Sequence, residues 1–223
     1  TAGSGKSTLG DNLARKLGYL YIDTGAMYRA IAWLALIKKI DIYDETGLEA
    51  LTENADIVMS KPYVDDGRQY TVSVGGQDVT WNIREARVSR VVATVSSHSK
   101  VRAILIDQQR MIAQQEKVVM VGRDIGTVVL PDADLKIFLD ADPRERARRR
   151  YKELVRRQSK GTTLESSMKD VLDELIRRDE IDRVNMKPAK DAVCVLTDNF
   201  SAEEILEMVT QRLEELPKEL HVL

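Results

Sequence analysis

The chain has 223 residues, 43% of them apolar and 31% charged, with a formal net charge of −2. That suits one domain with insertions or two small ones with a real core. The near-balanced charge gives no global attraction to nucleic acid or an anionic membrane, and no apolar run approaches the length of a membrane span. The single cysteine, Cys194, cannot close an internal disulfide, and a reducing cytoplasm is the default compartment. It lies in the apolar run 192–196 and reads as a small core residue rather than a nucleophile.

The first element is Thr1-Ala2-Gly3-Ser4-Gly5-Lys6-Ser7-Thr8. It matches the phosphate-binding loop G-x-x-x-x-G-K-[ST] from its second position onward, so the opening glycine would sit one residue before Thr1. The chain as given therefore reads as lacking the strand that precedes such a loop. Glycines turn the backbone tightly and aim N–H groups at phosphate oxygens, while a helix opening near Ser7 adds the positive end of its dipole. Lys6 would reach the β- and γ-phosphates, and the Ser7 hydroxyl would ligate magnesium. The bland alternative is a flexible Gly/Ser terminus. Leu9, Leu13, Ala14 and Leu17 at helical spacing, closed by Gly18, favour the loop.

Further along, residues 19–22 predict a short strand, 27–37 a helix with Ile31, Leu34 and Ala35 on one face, and 47–54 another helix. Residues 57–80 break the rhythm: Tyr70–Val74 alternates, Gly75-Gly76 turns, and Gln77-Asp78-Val79 follows, which predicts a small antiparallel insert. Residues 118–121 predict a parallel strand buried on both faces, 135–139 and 193–196 two more strands. Ser201-Ala202-Glu203-Glu204 is a capping box that opens a helix bearing Ile205, Met208, Val209 and Leu213. Strands separated by helices argue for an α/β fold, a parallel sheet with helices on both faces, and ligands at the carboxyl ends of the strands.

Four constellations carry chemistry. Asp23-Thr24-Gly25-Ala26-Met27-Tyr28-Arg29 lies where a strand meets a helix. Asp-Thr-Gly also occurs in aspartic proteases, but those need a second carboxylate to share a proton, and there is no second copy here. Thr24 offers a hydroxyl and Arg29 a phosphate-matching fork, against the plainer reading of a turn with a surface arginine. Gly122-Arg123-Asp124-Ile125-Gly126-Thr127 follows the 118–121 strand. Its guanidinium can clamp phosphate and its carboxylate can accept from a base amine, or the two form a structural salt bridge. From Arg144 to Arg157 eight of fourteen residues are basic, and Arg146, Arg149 and Arg150 lie on adjacent helical turns where they can converge on one anion. Such a run can be a solvated face or bind nucleic acid, but aromatics do not alternate with its basic residues, Tyr151 being the one aromatic in it. A lid closing over two nucleotides is the better reading. Arg178 and Asp182 are one helical turn apart, either a surface pair or a phosphate and ribose clamp. The two histidines, His98 and His221, have no partners at metal-ligand spacing.

Taken together these motifs resemble the bacterial cytidylate kinases, P-loop nucleoside monophosphate kinases. The resemblance covers nearly the whole chain: the loop, DTGAMYR, DVTWNIR at 78–84, KVR at 100–102, GRDIGTVVLPDADLKIFLDA at 122–141, ERARRR at 145–150 and RRDEIDR at 177–183. The long stretch from Gly122 is the most specific of these. The resemblance implies a core (1–26, 101–143 and 169–223), a nucleotide-monophosphate domain at 27–100 with the β insert, and a lid at 144–168. It implies transfer of phosphate from ATP to CMP or dCMP with Mg²⁺ on the ATP, no nucleic-acid or membrane partner, and a cytoplasmic monomer. UMP or AMP kinases are the nearest alternatives.

By the family's pattern Ala2, Gly3, Ser4, Gly5, Lys6, Ser7, Thr8 and Arg146 bind ATP, with Ser7 on the metal. Lys6, Arg149, Arg150 and Arg178 serve catalysis. Thr24, Arg29, Arg102, Arg123, Asp124, Arg178 and Asp182 bind the acceptor, Arg102 and Asp124 reading the cytosine edge. Three positions depart from the pattern: Val121 where an acid often precedes Gly-Arg-Asp, Ala93 where a base-pocket serine falls, with Thr94 beside it, and Asn185 where an arginine follows Asp182. They predict surviving catalysis with weaker rejection of UMP.

Overall fold

The computed structural model describes residues 1–157, 167–182 and 186–216, without the side chains of residues 156, 157, 181 and 182. It divides into two compact units, Thr1–Leu9 with Arg123–Leu223, and Gly10–Gly122. Part of the expected lid, Asn185 and His221 lie outside the described residues.

Helix α1 (Lys6–Leu17) forms where the leucine spacing predicts it. Leu9, Leu13 and Ala14 are buried, and Gly18 stops the helix at φ 72°, a left-handed conformation that costs a residue without Cβ little.

In the unit Gly10–Gly122, β1 (Leu20–Asp23) pairs in parallel with β5 (Val118–Val121), Leu20 opposite Val118 and Asp23 opposite Val121. All four β5 residues are half-buried, so this strand is less enclosed than its continuous apolar run implies. Helix α2 (Thr24–Lys38) starts directly from β1, capped by the Asp23 carboxylate on the Gly25 N–H at 3.0 Å. Ile31 and Ala35 are buried as the spacing predicts, but so are Met27 and Trp33, so α2 is enclosed on more than one face. Its alanines let neighbours approach closely. These neighbours are α3 (Glu45–Glu53), α4 (Ala86–Ser97) and α5 (Ser99–Gln115). Leu48, Ile83, Val88, Val95, Val101 and Leu105 complete the core around Met27 and Ile31, each fully buried aliphatic contributing about 1.5–3 kcal/mol.

The insert is an antiparallel sheet of β2 (Ile57–Ser60), β3 (Thr71–Val74) and β4 (Gln77–Asp78), inside the interval predicted for it. Gly75 and Gly76 turn β3 into β4 with φ of 56° and 77°, the left-handed pair that a two-residue hairpin needs.

In the other unit, β6 (Ile137–Asp140) pairs in parallel with β7 (Val193–Leu196). β6 begins two residues later than the apolar run predicts, because the ladder starts where Ile137 meets Val193. Cys194 corrects the core assignment: it is exposed. β7 alternates, Val193 and Val195 half-buried, Cys194 and Leu196 exposed, so it is covered on one face rather than enclosed like a core strand. Helices α6 (Pro143–Arg157) and α7 (Met168–Asp182) pack through Ala147, Val171 and Leu175. Helix α8 (Ala202–Glu214) carries the predicted capping box: Ser201 Oγ accepts from Glu204 N at 3.2 Å and Glu204 accepts from Ser201 N at 2.7 Å.

Gly10, in mid-helix, is explained by packing. A Cβ there would lie 2.5 Å from Val121 Cγ2 and 2.8 Å from Tyr21 Cε2. Helix propensity alone would make Gly10→Ala stabilising by about 1 kcal/mol, whereas overpacking costs about 1–3 kcal/mol. The second effect wins against a branched side chain and a buried ring. Urea unfolding is expected to show Gly10→Ala less stable than the parent; an equal or higher midpoint would overturn this packing account.

Candidate active site

The phosphate loop is built from residues 1–8. Gly3 and Gly5 take φ of 79° and 95°, which turns the chain back on itself. Ser4 is fully buried and its hydroxyl donates to Thr1 O at 2.9 Å. Lys6 Nζ donates to the same carbonyl oxygen, spanning the loop. Ser7 and Thr8 are exposed on the first turn of α1. The loop thus leads directly into the N-terminus of α1, and the positive end of a helix dipole next to a glycine-bent loop favours anions.

Arg146 is the residue whose placement differs most from its sequence reading. It is 2% exposed. Its Nε donates to Ala141 O at 2.9 Å, Nη1 to Ala2 O at 3.1 Å and Nη2 to Asp179 Oδ2 at 2.6 Å. Gly3 passes close by: a Cβ there would lie 3.3 Å from Arg146 Cβ. The guanidinium thus holds the loop's second residue against the end of β6 and against α7. The other Asp179 oxygen, Oδ1, is buried without a hydrogen-bond partner among the described residues.

Arg149 and Arg150 point elsewhere, so the three arginines do not converge on one point. Arg149 Nη1 donates to Thr197 Oγ1 at 2.8 Å, Nη2 to Thr197 O at 2.5 Å and Nε to Glu145 at 2.9 Å. Arg150 is exposed and pairs with Glu153 at 2.7 Å. The three side chains leave adjacent turns of α6, but each is held by different acceptors: Arg146 by Ala2, Ala141 and Asp179, Arg149 by Thr197 and Glu145, and Arg150 by Glu153. Thr197, at the carboxyl end of β7, is fully buried and donates to Ser4 O at 3.2 Å, which ties α6 and β7 to the loop.

Beside the loop lies a cavity of about 260 Å³ lined by Gly5, Thr8, Arg148, Arg149, Asp198 and Phe200 among others. Its mixture of a loop for phosphate, an aromatic face, a carboxylate and two guanidinium groups suits a nucleotide. Thr197, Asp198 and Phe200 carried no motif in the sequence. Their one legible signal was position, directly after a parallel strand.

The remaining predicted residues form two groups, one in each unit. In Gly10–Gly122, Thr24 is 5% exposed and donates to Val121 O at 3.1 Å. Arg29 donates to Ile83 O at 3.3 Å and to Ser89 Oγ at 3.0 Å. The Arg102 guanidinium lies 6.0 Å from the centre of the Tyr28 ring. Ala93 is exposed and Thr94 half-buried on α4. Val121 occupies the place of the expected acid, and its side chain sits over Gly10. In the other unit, Arg123 and Asp124 are half-buried ahead of a helical turn at Ile125–Val129, and Arg123 Nη1 lies 3.6 Å from Met186 Sδ. Arg178 is exposed and pairs with Glu174 at 2.7 Å, one turn back along α7. The Asp182 side chain is outside the description.

A glycine-bent loop opening a helix, with a lysine folded across it and arginines from a neighbouring helix beside it, defines a P-loop phosphotransferase. The profile of one family, cytidylate kinase, matches residues 1–215. Similar chains include the cytidylate kinases of Roseiflexus castenholzii, 46% identical over 95% of this chain and 90% of that one, and of Herpetosiphon aurantiacus, 46% identical over 93% and 89%. That of Chloroflexus aggregans is 46% identical over 94% and 89%. The chain belongs to the cytidylate kinase family, and it is a nucleoside monophosphate kinase with that family's P-loop α/β fold. No helix among the described residues is long and apolar enough to cross a membrane.

Glu145 organises the cavity wall. It accepts from Arg148 at 2.6 Å and from Arg149 at 2.9 Å. The Arg148 hydrogen bond, aided by Arg149 and opposed by burial, lowers its pKa from 4.5 to about 2. A carboxyl depressed on folding stabilises the fold fully above its unfolded value, and that contribution disappears as pH falls from 4.5 through about 2. Glu145→Gln is therefore expected to be less stable than the parent at pH 7, with the difference vanishing by about pH 2 in acid unfolding followed by circular dichroism. A gap that stays constant with pH would contradict the ion-pair account.

Proposed function

We propose that this protein transfers the γ-phosphoryl group of ATP to CMP or dCMP, giving ADP and CDP or dCDP. The observation that carries the reading is the Lys6 loop in a chain with the family's Gly122–Thr127 segment at the carboxyl end of β5. An acceptor phosphate oxygen attacks the γ-phosphorus, the bond to the bridging β-oxygen breaks, and ADP leaves with the electron pair. Positioning and charge stabilisation dominate such transfer, so no side chain has to be a strong base.

In this reading Ala2 to Thr8 cradle the ATP phosphates, and Lys6 exchanges its loop carbonyl for β- and γ-oxygens. Arg149, Arg150 and Arg178 neutralise charge on the migrating group. Arg146 serves ATP by fixing the loop through Ala2 O. Arg148 and Phe200 supply the wall for the adenosine. Arg29 and Arg123 hold the acceptor phosphate, Asp182 the sugar, and Thr24, Arg102 and Asp124 the base. Residues 27–100 act as the acceptor domain, residues 144–168 as the lid, and the protein works as a cytoplasmic monomer.

Magnesium fits the donor set. The described residues contain no group of three acidic, histidine or cysteine side chains that could cage an ion, whereas Ser7 offers one hydroxyl beside the loop. A cation that keeps most of its ligands as water and phosphate needs little more than that. When bound it would neutralise phosphate charge, with Ser7 as its protein ligand.

Cytosine presents an amine donor and a ring acceptor where uracil presents the reverse. A site built for one pattern leaves its groups unpaired with the other. Asp124→Ala is thus expected to lower kcat/KM for CMP at least tenfold more than for UMP, about the worth of one charged hydrogen bond; an equal loss on both acceptors would remove Asp124 from base reading. Lys6→Ala is expected to lower kcat by about 10²–10³ with an unchanged circular-dichroism spectrum. Both are read in a coupled ADP-release assay with CMP, dCMP, UMP, AMP and dTMP in turn, where near-normal turnover by the lysine variant would sink the loop's role.

A further inference from the structure

The β insert has no part in the chemistry described so far, yet one of its residues reaches the corner between β1 and α2. Tyr70, which leads into β3, is 2% exposed. Its hydroxyl accepts from Arg84 Nη2 at 2.7 Å and donates to Asp23 Oδ2 at 3.3 Å. The same Arg84 guanidinium lies 5.3 Å from the centre of the Tyr70 ring and 5.8 Å from that of Trp81. The Tyr70 ring also stands against Tyr21 of β1, the centres 5.6 Å apart. Asp23 is held at its other oxygen too, since Oδ1 accepts the Gly25 N–H that starts α2.

The order of these bonds matters. Arg84 can only donate, so the tyrosine oxygen accepts from it and turns its own proton toward the carboxylate. Burial and the Asp23 charge hold that hydroxyl protonated far above its ordinary range, so the donor persists at every working pH. A carboxylate fixed at both oxygens leaves the strand–helix corner a single conformation. The next residue is Thr24, whose hydroxyl is itself committed to Val121 O, and Arg29 follows on the first turns of α2.

We propose that Tyr70 is a positioning residue for the acceptor nucleotide, acting through Asp23 on the corner that carries Thr24 and Arg29, so that the β insert is part of the frame of the acceptor site. The proposal rests on the acceptor assignment made above. It gives the insert a task distinct from covering the substrate: it supplies a buried proton donor to the residue that caps α2.

Tyr70→Phe removes the hydroxyl and keeps both ring contacts. In steady-state assays with ATP and CMP it is expected to raise KM for CMP roughly three- to tenfold, the worth of one buried hydrogen bond, and to leave KM for ATP unchanged. Calorimetric titration with CMP alone should show the same fold-change in Kd. Asp23→Asn should act on the same parameter, and the double variant should be no worse than the more severe single, because both break one chain of bonds. An equal rise in both KM values, no change in either, or additive effects of the two substitutions would each overturn the positioning role. Failure of the parent protein to phosphorylate CMP would instead remove the acceptor assignment. If Tyr70→Phe does not fold, Arg84→Lys, which loses the planar donor but keeps the charge, should give the CMP-selective change; an unselective change there would also overturn the proposal.

Discussion

Burying a guanidinium is the constraint on which the phosphate loop depends. Arg146 is almost fully enclosed, and a charge in that position costs several kcal/mol unless its N–H groups find acceptors. It finds three, from Ala2, Ala141 and Asp179, which belong to the phosphate loop, the turn after β6 and α7. Each acceptor must stay in place or the ion is stranded. The loop's shape is therefore set by its contact with Arg146 as well as by its own glycines. Electrostatic preorganisation of this kind is what phosphoryl transfer needs, since the enzyme has little covalent work to do.

The rest of α6 repeats the principle at lower stakes. Glu145 gathers Arg148 and Arg149, Glu153 takes Arg150, and Thr197 receives Arg149 on both its hydroxyl and its carbonyl oxygen. A helix with so many cations would repel itself and its neighbours. Interleaved acids and backbone carbonyls turn that repulsion into defined side-chain directions. Exposed pairs such as Arg150 with Glu153 are worth at most about 1 kcal/mol and break easily. Arg146, by contrast, is committed.

In the unit Gly10–Gly122 the same principle appears in hydrogen bonds rather than ion pairs. The corner after β1 is capped by Asp23, braced by Tyr70 from the insert, and closed by Thr24 on the β5 backbone. A hairpin of four-residue and two-residue strands has little stability of its own. It holds its shape because Tyr70 ahead of β3, Val72 within it, and Val79 and Ile83 after it are buried in the core around α2. The insert and the corner thus stabilise each other.

What the sequence determined by itself was local: the phosphate loop, the Gly75-Gly76 turn, the Ser201–Glu204 capping box, and the alternation of strands and helices. In each, the residues that create the conformation lie within a few positions of one another, so spacing alone reveals them. Its errors came where burial depends on what lies opposite. Cys194 sits in an apolar run yet is exposed because β7 is covered on one face, and Arg146 sits in a basic run yet is buried. The motif residues Thr24 and Arg29 were legible as types, but not the partners that hold them, Val121 O for Thr24 and Ile83 O for Arg29. Only the tertiary structure decided that Thr197 would meet Ser4, 193 residues away, that Phe200 would line the cavity beside the phosphate loop, and that Tyr70 would reach Asp23. Such contacts leave no periodic trace in the chain, because a hydrogen bond between distant residues is set by how whole elements pack and not by the propensities of the residues that make it.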